Sequence, residues 1–154
     1  MDGQTFELGT DGPKAIVVGV DGTPSSLRAL AFASGLARRQ HAELICAYVR
    51  RPAAVPAGVF GFTPAEATVA ICEAETEFGE RLSRRVTDDC GTWGTGARVV
   101  VREGDPLTEL AAVADQVHAD MIVVGASTGL GHRLFGSLAS RLLRRRRWPI
   151  TVVP

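Results

Sequence analysis

Five short apolar runs, Ala15–Val20, Leu44–Val49, Ala97–Val101, Met121–Val124 and Ile150–Val153, recur along this chain. They are rich in valine and isoleucine and mostly do not alternate with polar residues. Successive side chains of a strand point to opposite faces, so a strand with one wet face alternates, whereas one covered on both faces stays apolar throughout. Runs of this kind belong to a parallel sheet sandwiched between crossover helices.

The intervening segments have helical spacing. The first opens on Thr23-Pro24, an N-cap followed by proline at the first helical position, and carries Leu27, Leu30, Ala31 and Ala37. Thr63-Pro64-Ala65-Glu66 is a capping-box pattern, followed by Ile71, Phe78, Leu82 and Val86 on one face. Asp105-Pro106 starts a third segment, with Leu107, Leu110, Ala111, Ala114 and Val117 in an i, i+3, i+4 stripe. The fourth runs from about Ser137 through Leu138, Leu142 and Leu143 to Trp148-Pro149. The order β-α-β-α-β-α-β-α-β predicts an α/β fold, an open doubly wound five-stranded parallel sheet with helices on both faces, Rossmann-like, with strand order 3-2-1-4-5. Ligands of such sheets sit beyond the carboxyl ends of the strands, where the strand order reverses. The loops after strands one and four are therefore the candidate site.

The 154 residues suit one domain, here 14–154 behind a polar segment 1–13 that does not read as a signal peptide. The 17 basic and 17 acidic residues balance, so no net field draws the chain to nucleic acid or an acidic membrane. No apolar run approaches the length of a membrane span. The three cysteines lack metal-ligand spacing; Cys46 reads as a buried hydrophobe and Cys90 as the exposed thiol. A reducing cytoplasm suits this set. Residues 50–63, with two prolines and two glycines, form the one long linker.

The fourth apolar run passes into a glycine-rich stretch, Gly125 to Gly136, that ends at a helix start, Ser137. Glycines at such a junction let N–H groups converge on an anion, and the helix N-terminus adds its positive dipole end. Gly129-Leu130-Gly131 lacks the third glycine of a dinucleotide fingerprint, and no GxxxxGK[S/T] loop is present.

Taken in order, IVVGVDGTPSSLRAL, VREGDPLTELAAVADQVHADMIVVGAS and GSLASRLLRRRRWPITVVP resemble the universal stress protein family over almost the whole chain. Members of that family that bind ATP share a loop written G-x2-G-x9-G-[S/T]. Here Gly125 and Gly129 are separated by three residues and Gly129 and Gly136 by six, so the loop is two residues shorter. The resemblance implies an adenine nucleotide, ATP with Mg²⁺ or cyclic AMP, held by Val20, Asp21, Val49, Gly125, Ala126, Gly129, Gly136, Ser137 and Leu138. It also implies a homodimer through the last strand.

Each of these residues has a plainer reading. Asp21 suits a ribose hydroxyl or an ordinary Asp-Gly turn. Val49 suits an adenine edge or the core. Ser137 suits a phosphate or a helix cap, which use the same geometry. His132 and Arg133 read as solvated loop residues before they read as phosphate contacts. The arginines 144–147 complement a helix C-terminus rather than form a nucleic-acid patch. No nucleophile–base pair or facing carboxylates accompany the glycine loop, and His41 and His118 fall at helix ends. The expectation is a cytoplasmic, non-enzymatic, dimeric regulatory module that binds adenine nucleotide in stress response. The alternative is a same-fold interaction scaffold whose shortened loop no longer holds nucleotide.

Overall fold

The computed structural model describes residues 12–51, 65–126 and 137–154. Among these, five strands alternate with four helices: β1 (Ala15–Gly19), α1 (Pro24–Gln40), β2 (Glu43–Arg50), α2 (Ala65–Thr92), β3 (Ala97–Glu103), α3 (Pro106–Gln116), β4 (Met121–Gly125), α4 (Ser137–Arg145) and β5 (Ile150–Val153). All pairings are parallel, in the order β3-β2-β1-β4-β5, as the run of elements predicts.

Strand alternation divides the core in two. Ile16 and Val18 of β1, with Leu44 and Cys46 of β2, face one layer, where Leu30 and Ala33 of α1 and Leu82 and Val86 of α2 meet them. Val17, Ile45 and Ile122 face the other, against Leu110 and Val113 of α3 and Leu142 of α4. Both sets of side chains leave water completely or nearly so. Each fully buried Val, Ile or Leu contributes roughly 1.5–3 kcal/mol of transfer free energy, which is what fastens helices to both faces.

The caps act where the sequence puts them. Thr23 Oγ1 accepts from the Ser26 N–H at 3.3 Å, and α1 ends on left-handed His41, whose N–H bonds the Ala37 carbonyl. Asp105 caps α3, accepting from the Thr108 N–H at 3.1 Å. His118 is likewise left-handed and exposed just beyond α3. The Thr63-Pro64 cap and most of the 50–63 linker lie outside the described residues.

Several local expectations are corrected. In α1 the buried stripe is Ser25, Ser26, Ala29, Leu30, Ala33, Ser34 and Ala37; Ala31 is exposed. Small residues dominate because this helix lies close against the centre of the sheet. The second helix continues to Thr92, so Cys90 lies in its last turn and is buried, while Cys72 is the exposed thiol. A polar neighbourhood misled the reading of Cys90, which continues the inward face of Leu82 and Val86 at four-residue spacing. Leu143 of α4 is exposed, and Ala139 and Leu142 make the contact with the sheet. β3, an edge strand, is only half covered: Val101 is 47% exposed, and charges punctuate the strand. Two of those charges reach back to β2 through Arg50–Glu103 (2.6 Å) and Arg98–Glu43 (3.0 Å) ion pairs.

Candidate functional site

β1 feeds α1 and then β2 on one side, whereas β4 pairs with β1 on the other, so the strand order reverses between β1 and β4. Beyond the carboxyl ends of these strands lies a cleft of about 570 Å³, within the range of small-molecule sites. Gly19, Val20 and Asp21 from β1, Val49 and Arg51 from β2, and Gly125 and Ala126 from β4 line it. The first turns of three helices complete the wall: Ser25 and Ser26 of α1, Pro106 of α3, and Leu138 and Ala139 of α4. Three helix N-termini therefore converge on one cavity, each bringing the positive end of its dipole and N–H groups without intrahelical partners.

Of the expected residues, Val20, Asp21, Val49, Gly125, Ala126 and Leu138 come together in this one cleft. Gly129 and Gly136 lie outside the described residues, as do His132 and Arg133. Ser137 is the first residue of α4, and its side chain is outside the description.

Asp21 makes the local turn and faces the cleft as well. Its Oδ1 accepts from the Thr23 N–H at 3.0 Å and from the Thr23 hydroxyl at 2.6 Å. Its own N–H donates to Ser26 Oγ at 3.3 Å. Burial works against the charge, but the Thr23 and Ser26 hydrogen bonds outweigh it and hold the carboxyl below the usual aspartate range. The group is thus an ionised, oriented acceptor at neutral pH. Gly22, next in sequence, has φ +84° and lies under Phe78 of α2, which meets Tyr48 edge to face with centroids 5.9 Å apart. This contact fixes the β1–α1 loop from above.

Gly125 is needed for a packing reason. A Cβ there would lie 2.6 Å from the Ser25 carbonyl carbon and from the Ser26 nitrogen, both backbone atoms. The end of β4 and the first turn of α1 touch main chain to main chain, which seats the α1 N-terminus at the cleft. Ala126 then donates its N–H to the Val153 carbonyl at 2.7 Å. Val20 lines the cleft as well, but its side chain belongs to the core and its N–H is already bonded to the Ala47 carbonyl at 2.9 Å.

Sequence reasoning missed Arg51, Ser25, Ser26 and Pro106. Arg51 is the one cation among the described lining residues, as Asp21 is the one anion. Its signal was faint: it stands just past the second apolar run, two residues after Val49. The serines were visible as the first turn after Thr23-Pro24, but only the approach of β4 turns that helix end into a site wall. Among the described residues no group of three or more His, Cys, Asp or Glu side chains is placed to hold a metal ion.

An open parallel sheet with a cleft at its reversal point defines a doubly wound, Rossmann-like α/β protein, a class broader than any one activity. The sequence matches the universal stress protein family over residues 13–154. A universal stress protein of Methanocaldococcus jannaschii is 33% identical over 143 residues, covering 91% of this chain and 81% of the relative. The crystal structure of a universal stress protein in complex with cAMP is 26% identical, with a TM-score of 0.70, covering 92% of this chain and 97% of that one. A universal stress protein from Archaeoglobus fulgidus in complex with dAMP shares the fold at 20% identity, with a TM-score of 0.61, covering 91% and 97%. The chain belongs to the universal stress protein family.

Proposed function

We propose that this protein is a regulatory module that binds an adenine nucleotide in the cleft between the β1 and β4 loops. The observation that carries the reading is the convergence of the α1, α3 and α4 N-termini with Arg51 and Asp21 around one cavity of nucleotide size. Phosphates would sit among the helix ends and Arg51, the ribose against Asp21, and the base against Val49. The family neighbours solved with cAMP and dAMP support the ligand class. ATP fits the same chemistry. Asp21 is the single carboxylate among the described lining residues and is already engaged by Thr23, so Mg²⁺ would be held chiefly by the phosphates and water. One carboxylate with no partner base suits binding rather than turnover. The protein would act in the cytoplasm as a homodimer joined along β5, with nucleotide state altering its contacts with other proteins in stress.

The shortened glycine loop favours a second reading, a scaffold of the same fold without nucleotide. Isothermal titration of nucleotide-stripped protein with ATP and Mg²⁺, AMP, cAMP and adenosine separates the two. Micromolar binding is expected, with Arg51→Ala weakening ATP about tenfold while leaving adenosine unchanged, since the lost contact is a charge-assisted bond to phosphate. Silence towards every nucleotide at millimolar concentration, from folded protein, would leave the scaffold reading.

A further inference from the structure

The charges around the cleft are ordered across the sheet. β2 delivers Val49 and Arg51, β1 delivers Asp21, and β4 delivers Gly125 and Ala126, with β1 paired between the other two strands. The positive helix ends gather on the β4 side. Gly125 lies against the Ser25 and Ser26 backbone, which seats the α1 start there. α4 connects β4 to β5, so its Leu138 turn enters the cavity from that side as well. Arg51 stands on the opposite side. The cleft therefore runs from helix N-termini at β4, past the Asp21 carboxylate at β1, to a guanidinium at β2. Neighbouring strands are about 4.8 Å apart, so strands β2 and β4 hold the two positive ends about 10 Å from each other.

The two arginines at the end of β2 differ. Arg50 is tied down, its guanidinium bonded to Glu103 at 2.6 Å and to the Thr76 hydroxyl at 3.0 Å. Arg51 has no hydrogen bond or ion pair among the described residues, and it lines the cleft. The β1–β2 register pairs Gly19 with Ala47, and continued outward it sets Asp21 beside Val49. Arg51 then stands two residues, about 7 Å, further out than either. Asp21 is half committed. Its Oδ1 holds the Thr23 N–H and hydroxyl at 3.0 and 2.6 Å, while Oδ2 has no partner among the described residues. One free oxygen serves one ligand hydroxyl.

We propose that the nucleotide of this cleft carries phosphate on both sides of its ribose, at the 3′ carbon as well as the 5′. The inference rests on the nucleotide reading above. With the base against Val49 and the ribose against Asp21, the 5′ phosphate reaches the helix ends at β4. The 3′ phosphate points outward to Arg51, whose planar guanidinium takes two of its oxygens. The 3′ oxygen is then esterified, and the 2′ hydroxyl is the donor left on the ribose to meet the free oxygen of Asp21. The outer phosphates of ATP reach Arg51 only by bending back over the ribose, whereas a 3′ phosphate starts beside it. Asp21 also sets which isomer fits, because a phosphate at the 2′ carbon would face its carboxylate.

The test is isothermal titration of the nucleotide-stripped full chain with AMP, adenosine 3′,5′-bisphosphate and adenosine 2′,5′-bisphosphate, repeated with Arg51→Ala. The 3′,5′ isomer should bind about tenfold more tightly than AMP, the size of one charge-assisted contact, and the 2′,5′ isomer no more tightly than AMP. Arg51→Ala should remove the gain and bring the 3′,5′ isomer level with AMP. Arg51 is exposed, so an unchanged melting temperature checks that the variant is folded. Equal gains from both isomers would mean that charge alone attracts them, and a gain that survives Arg51→Ala would place the second phosphate elsewhere. Either result, or AMP binding with no gain from a 3′ phosphate, overturns the inference and leaves the nucleotide reading standing. Silence of the folded protein towards all three overturns both.

Discussion

At Gly125, the missing side chain sets the distance between a strand end and a helix start. The Ser25 and Ser26 backbone atoms that a Cβ would strike cannot rotate away as a side chain could. Gly125→Ala should therefore push the first turn of α1 off the end of β4 and destabilise the fold by about 3 kcal/mol, at the upper end of ordinary overpacking. Denaturant unfolding measures this directly; a loss below about 0.5 kcal/mol, typical of a neutral surface change, would show that the contact is soft. Sequence reading offered a phosphate cradle as the reason for this glycine. Close main-chain contact is the reason the fold supplies, and it holds whether or not a phosphate binds. Asp21 likewise serves its turn through Thr23 and remains on the cleft wall, so its two readings do not compete.

Among the elements, α3 and α4 are coupled through one carboxylate. Asp105 caps α3 through Thr108, and both its oxygens lie 3.4 Å from the Arg141 guanidinium of α4. The Thr108 N–H first, then the Thr108 hydroxyl and Arg141, outweigh desolvation and hold the Asp105 carboxyl below its ordinary value. A carboxyl depressed in the folded state stabilises fully above its unfolded pKa, and that stabilisation is lost as pH falls through the folded pKa. Asp105→Asn keeps a capping side chain and removes the charge. Its melting temperature should lie below the parent's by a constant gap near neutrality, and that gap should close in acid. A gap that stayed the same into strong acid would mean that the charge of Asp105 contributes nothing. The helices it links also present their first turns to the cleft, so acid loosens the site as well as the fold.

For the whole molecule, the open question of the sheet is its β5 edge. The Pro149 and Val153 carbonyls accept from β4 at 3.0 and 2.7 Å, so, by strand alternation, Ile150 and Val152 turn their N–H and C=O groups outward. Among the described residues no strand pairs with this outer edge, and such an edge invites another strand; β5 carries no charge to repel one, whereas β3 at the other edge carries Arg98, Arg102 and Glu103. If β5 joins two copies, Val152→Pro removes an outward donor while sparing the β4 ladder, and sedimentation equilibrium should show a monomer that still melts cooperatively. A dimer undisturbed by the proline would place the interface elsewhere.

By itself the sequence determined the layering of this protein. Apolar runs without alternation, Thr-Pro and Asp-Pro helix starts and amphipathic stripes are local signals, and each acts through bonds and packing within a few residues of itself. They set the five parallel strands, the helix beginnings at Pro24 and Pro106, and the position of the cleft beyond the first and fourth strands. Tertiary structure alone decided what lines that cleft and what is buried away from it. Arg51 reaches the site, Cys90 enters the same core layer as Cys46, and Gly125 meets Ser25 through packing between residues distant along the chain. Such contacts depend on how far one element stands from another, a distance that side-chain size fixes only once both elements are in place.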